Sequence, residues 1–142
     1  MTTINVPHRV EPDQISPRPD GVTLLGWSRG KQLIWDVTIV SSTCPTNVVH
    51  AASSCGGAAK IAELKKQRHY QLLREEFIIQ PVALESFGCP GPSTEEFLRD
   101  ISDRLREASH DPRAGIFFQQ RLSIELQRAN VNLIMGTMGG MN

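Results

Sequence analysis

The chain has 142 residues, 39% of them hydrophobic, which suits one soluble globular domain with a core of ordinary size. Its 15 basic and 15 acidic residues cancel, so net charge favours no particular partner and local charge must be read instead. No apolar run approaches the roughly 20 residues needed to cross a bilayer, which excludes a membrane partner at this level, and the start Met1-Thr2-Thr3-Ile4-Asn5-Val6-Pro7 lacks the charged and apolar regions of a signal peptide, so an intracellular location is expected.

Residues 1–20 hold four prolines and little periodicity. They read as an extended lead-in, with room for a short strand at Thr2–Val6, or as the cut edge of something longer. The domain proper is expected from 18 to 136, with 1–17 as lead-in and 137–142 as a flexible tail. After Arg18-Pro19-Asp20-Gly21 come two strand candidates, Gly21–Trp27 and Gln32–Val40. They are joined by Ser28-Arg29-Gly30-Lys31, whose glycine suits a tight hairpin. In the second, Leu33, Trp35, Val37 and Ile39 share one face and Ile34, Asp36, Thr38 and Val40 the other, a pattern that predicts burial on both. A carboxylate in such a strand is costly unless it is paired or holds a metal, which singles out Asp36.

Residues 41–57 form a loop ending at Ser53-Ser54-Cys55-Gly56-Gly57, where a serine can cap a helix. That helix is predicted from Gly57 to about Glu75, with the stripe Ala59, Ala62, Lys66, Tyr70, Leu73 and Phe77, and with Glu63 beside it. Lys60, Lys65, Arg68 and Arg74 make it locally basic. The three cysteines, Cys44, Cys55 and Cys89, include no C-x-x-C pair, so reduced thiols are expected. The spacing of Cys44, His50 and Cys55 fits no familiar zinc site. His8, His50, His69 and His110 are scattered and receive no catalytic role.

A third strand is predicted over Glu76–Glu85, with Pro81 marking an edge or a bulge. Ser93 to Glu96 has capping-box spacing, and the helix it opens would bury Phe97, Ile101 and Leu105. Asp111-Pro112 starts the last helix, which presents Phe118, Leu122, Leu126, Ala129 and Leu133. The order strand, strand, helix, strand, helix, helix predicts an α/β fold, a small mixed sheet with flanking helices.

Two carboxylates on adjacent strands can share Mg²⁺, and a nearby lysine can orient water and stabilise phosphate charge, as metal-assisted phosphodiester hydrolysis requires. Pro19-Asp20, then Asp36 within Trp-Asp-Val-Thr-Ile, then Lys66 and Tyr70 four residues apart on a helix resemble the PD-(D/E)XK nuclease superfamily. More narrowly, the chain is similar to the restriction-endonuclease-like domain of site-specific non-LTR retrotransposon proteins and to related metazoan transposon-derived proteins. The shared stretches are Arg18–Gly21, Leu33–Thr38, Ala62–Lys66 with Tyr70, Gln120–Ser123 and Gln127–Asn130. The resemblance implies a Mg²⁺-dependent cut in one DNA strand, with DNA as partner, a reverse transcriptase domain in a longer parent protein, and a nuclear location. It implies Asp20 and Asp36 as metal ligands and Lys66 as a catalytic lysine moved from strand to helix, since Thr38 stands two after Asp36. Tyr70 would line the cleft, Glu63 would position Lys66, and Glu11 could add a carboxylate. Lys60, Lys65 and Arg68 would face the DNA backbone.

Plainer readings stand beside these. Asp20 can be a turn residue, and Asp36 can pair with Arg18 or Lys66 for structure alone. Lys66 can lay its stem on an apolar face, Tyr70 can be core, and the basic residues can be a solvated face. A catalytically inactive nucleic-acid-binding remnant or a protein-interaction domain remains an alternative function.

Overall fold

In the computed structural model, which describes residues 18–43, 47, 52 and 54–139, the β-branched and aromatic run Gln32–Val40 becomes the central strand β2 of a three-stranded sheet. The strand expected at Thr2–Val6, Glu11, Cys44, His8, His50 and a cap by Ser53 lie outside the described residues. Strand β1, Gly21–Val22, pairs antiparallel with β2, and β3, Phe77–Glu85, pairs parallel with its other side. The fold is therefore mixed α/β with a small mixed sheet. No helix among the described residues is long and apolar enough to cross a membrane.

The hairpin turns through Arg29 and Gly30 at φ 51° and 73°, consecutive left-handed residues that match the twist of a two-residue connection. β1 is shorter than the predicted Gly21–Trp27. Beyond Val22 one more backbone bond forms, from the Thr23 amide to Leu33 O at 2.9 Å, and pairing then gives way to the Gln32 side chain, which donates to the carbonyls of Thr23 and Leu24, while Leu24 and Leu25 stand exposed. Burial of β2 on both faces is also only partly realised. Leu33 and Ile34 are buried, but Val37 and Ile39 are open to solvent.

Helix α1, Gly57–His69, covers the sheet face that carries Ile34, Asp36 and Ile79. It ends at His69 rather than near Glu75, because Tyr70 leaves helical geometry and a single 3-10 turn, Gln71–Leu73, redirects the chain into β3. Ile34, Tyr70 and Ile79 form a buried cluster, with Leu73 and Phe77 packed on it. On the other face lie α2, Pro92–Ser109, and α3, Ala114–Gly139, where Leu84, Leu98 and Leu126 line a common cleft.

The buried stripe of α2 is Thr94, Leu98 and Ser102, rotated from the predicted Phe97, Ile101 and Leu105. The cause is a close crossing with α3: a Cβ on Gly115 would sit 3.1 Å from the Ser102 Cβ. Phe97 turns instead to Trp27, over whose ring Arg104 also lies. On α3, Phe118, Leu122, Leu126 and Ala129 face inward as predicted, while nothing is described of the Leu133 side chain. Asp111 accepts the Arg113 amide at 2.9 Å and so caps the turn that leads into α3. The helix continues to Gly139, past residue 136, where the tail was expected to begin.

Buried glutamates from neighbouring elements hold the starts of α1 and α2. Glu85 accepts the Ala58 amide at 3.0 Å. Glu63 accepts the amides of Ser93 and Thr94 and the Thr94 hydroxyl. No Ser93–Glu96 capping box forms, since α2 begins two residues earlier, with Gly91 rather than Ser93 as its N-cap. The outer edge of β3 is closed by the following loop: Thr94 Oγ1 accepts the Ala83 amide, and Ala83 O accepts the Gly91 amide. Pro81, two residues before Ala83, turns the same way, so its missing N–H falls on this edge, as predicted.

Cys55 and Cys89 are joined in a disulfide, with Cα atoms 5.5 Å apart, which corrects the expectation of reduced thiols. Closing a loop of 34 residues lowers the entropy of the unfolded chain by an amount worth roughly 3 to 4 kcal/mol.

Candidate active site around Asp36

Asp36 lies opposite Pro81 in the parallel ladder and points at the end of α1. Lys66 and Tyr70, four residues apart, project from one side of that end. Lys66 Nζ stands 3.0 Å and the Tyr70 hydroxyl 2.6 Å from the same oxygen, Asp36 Oδ2. Asp36 is 8% exposed, yet the Lys66 side chain remains 34% exposed, so the pair opens to solvent on the lysine side.

Asp20 is brought in by β1. Its amide donates to Trp35 O at 3.1 Å, and its Oδ2 accepts the Val37 amide at 2.7 Å. The carboxylate thus extends the ladder by one step beyond the strand backbone, and the register that sets Gly21 opposite Trp35 places Asp20 opposite Asp36.

Burial raises the Asp36 pKa, but hydrogen bonds from Tyr70 and Lys66 and the lysine charge, with a smaller effect of the Asp20 carboxyl, outweigh it. The carboxyl is held below its ordinary 3.8. Tyr70 moves the other way. Burial, its bond to Asp36 and the negative charges of Asp36 and Asp20 push its phenol well above the ordinary 10.0. At neutral pH the site therefore holds an ionised Asp36 and a protonated Tyr70.

The donor set suits a hard divalent cation. One oxygen of each carboxylate is engaged by the protein, and the other takes no N–H or O–H donor among the described residues. Mg²⁺ commonly enters through one or two carboxylates with waters and phosphate completing its shell. Among the described residues no cluster of three or more His, Cys, Asp or Glu side chains gathers, so a cation at this place would have two protein carboxylates, Asp20 and Asp36, and no third.

Glu63 does not join this group. Three residues separate it from Lys66, about 60° around a helix of 3.6 residues per turn. That offset sends Glu63 over the outer edge of β3 to the α2 N-terminus, while Lys66 leans over β2. Its carboxylate presses against Gly91, where a Cβ would meet Glu63 Oε1 at 2.2 Å. Lys60, Lys65 and Arg68 are exposed and make no ion pair among the described residues.

Sequence reasoning missed the Val37 amide, which fixes Asp20 and carries no side-chain signal. It also missed Glu85, whose place at the end of an apolar strand could have flagged a buried cap. The chain matches no family model, no curated protein and no solved structure.

Proposed function

We propose that the chain is a PD-(D/E)XK-like, Mg²⁺-dependent DNA endonuclease domain of retrotransposon type, acting on one strand of nuclear DNA and linked to a reverse transcriptase in a longer parent protein. The observation that carries this reading is the convergence of Lys66 and Tyr70 on Asp36, with the Asp20 carboxylate held opposite it by the Val37 amide. Such convergence is not needed to stabilise a fold, since a buried ion pair is often no better than well-packed apolar residues.

Asp20 and Asp36 would hold the metal, which supplies an activated water and charge stabilisation at the phosphate. Lys66 donates toward the scissile phosphate or the attacking water. Tyr70 stays protonated and keeps Asp36 Oδ2 occupied, leaving its other oxygen to face outward. Exposed Lys60, Lys65 and Arg68 offer positive charge to the DNA backbone.

The test is nicking of supercoiled plasmid with and without Mg²⁺. Wild-type chain should nick, and Asp36→Ala should abolish nicking while circular dichroism stays unchanged. If the wild type binds no divalent metal and leaves plasmid intact, the endonuclease reading is lost. Salt-dependent DNA binding without cleavage would then favour an inactive nucleic-acid-binding domain. Absence of both would favour a protein-interaction domain, for which the exposed Ile116, Phe117, Ile124, Val131 and Ile134 on α3 supply a surface.

A further inference from the structure

The Cys55–Cys89 bond joins two segments that already meet through weaker contacts. Cys55 precedes Gly56, the N-cap of α1, which holds φ 84°. Pro90, next to Cys89, lies so close over Gly56 that a Cβ there would sit 2.2 Å from Pro90 O. Glu85 stands between the segments: its side chain accepts the Ala58 amide from the first, and its own amide donates to Cys89 O within the second at 2.8 Å. The disulfide therefore closes a small ring of contacts around the start of the helix that carries Lys66 and Tyr70.

Cys55 is exposed and Cys89 half-buried. A thiolate in solution can reach such a bond, unlike one sealed in a core, and exposed disulfides are the labile ones. The far end of α1 is held independently, by Asp36 and the Ile34–Tyr70–Ile79 cluster. Opening the bond would release the first turn of α1 without freeing the last.

From this arrangement we infer that Cys55–Cys89 is a reversible redox latch, opened by a small dithiol or by glutathione, which loosens the first turn of α1 and the β3–α2 loop while the sheet stays intact. The reductant's thiolate attacks the Cys55 sulfur, the S–S bond breaks, and Cys89 leaves as a thiolate that takes a proton. A second reductant thiol then attacks the reductant sulfur of the mixed disulfide and releases Cys55. The protein gains two electrons and two protons, and the reductant ends as a disulfide. This inference does not rest on the nuclease reading, and its readouts are structural.

The full chain carrying Cys44→Ser, which removes the third cysteine from the thiol count, provides the test. Non-reducing peptide mapping should recover a linked Cys55–Cys89 pair. Native incubation with dithiothreitol should yield two alkylatable thiols with circular dichroism preserved. Amide exchange in residues 56–60 and 86–91 should then rise at least about tenfold, with Val37 and Tyr70 unchanged. Oxidised glutathione should restore the protection, and the Cys55→Ser/Cys89→Ser variant should exchange like the reduced chain. A bond that native dithiothreitol cannot open, loss of the whole fold on reduction, equal exchange in both states, or thiols that stay unlinked after oxidation would each overturn the latch.

Discussion

Asp36 and Glu63 are both carboxylates buried between α1 and the elements it covers, at 8% and 3% exposure, and they differ in what donates to them. Glu63 receives the amides of Ser93 and Thr94 and the Thr94 hydroxyl, at a helix N-terminus where negative charge is favoured. None of these donors ionises in any ordinary pH range. Asp36 receives the Lys66 ammonium and the Tyr70 phenol on one oxygen and stands opposite a second carboxylate, Asp20. The first environment fixes a helix in place. The second sets a charged and a protonated group side by side next to an opening, the arrangement that the proposed reaction would use.

That contrast is most easily broken at Glu63, where the largest stability effect is expected. Glu63→Ala leaves two amides and a buried hydroxyl without their acceptor, and should cost about 3 kcal/mol in urea unfolding, since each buried donor left unpaired costs about 1 to 3 kcal/mol and the losses overlap. Glu63→Gln keeps an acceptor and should recover about half of that loss. Neither change should abolish plasmid nicking. Loss of nicking in a folded Glu63→Gln chain would return Glu63 to the catalytic group and dissolve the distinction.

Tyr70→Phe comes next. It removes the 2.6 Å bond to Asp36 with little change of shape, and should cost about 1 to 2 kcal/mol by the same measurement, the range for a bond to a charged acceptor. Lys66→Met should cost less, under about 1 kcal/mol, because the lysine is partly solvated and the methionine keeps its apolar stem. Nicking should reverse that order, with Lys66→Met falling further than Tyr70→Phe. A Lys66→Met chain that is strongly destabilised yet nicks normally would make the Asp36–Lys66 pair structural.

What could be read in the sequence follows from the same distinction. Asp36 and Lys66 were legible because each breaks a local rule, a charge in an apolar strand and a cation in an apolar stripe, and Tyr70 because it stands one turn beyond Lys66 on the same stripe. Strand β3, its edge proline and the inward stripe of α3 were legible from short-range pattern alone. The rotated face of α2 was not, because it is set by the crossing at Gly115 rather than by the periodicity of α2 itself. The two glutamate caps and the Cys55–Cys89 pair were hidden for a related reason. Each joins segments about 30 residues apart, a relation that local periodicity does not encode.

The smallest effect expected is also the most direct report on the Asp36 environment, because Tyr70 is the single tyrosine in the chain. Its phenol is raised above 10.0, so the stability it contributes is fully present below the unfolded value near 10 and is lost as pH rises through the folded value. Asp36 is lowered from 3.8, so its contribution is present above that pH and is lost as pH falls through the folded value. Between these limits both groups contribute fully, and stability should be flat with respect to them. In an alkaline titration followed by phenolate absorbance, the wild type should show no ionisation near pH 10 and should gain the band only as tryptophan fluorescence reports unfolding. Asp36→Asn removes a negative charge and a strong acceptor, and should bring ionisation back toward 10 while the chain is still folded. A wild-type Tyr70 that titrates near 10 in the folded state would mean that the phenol is not held against Asp36. The contrast with Glu63 would then lose its physical basis.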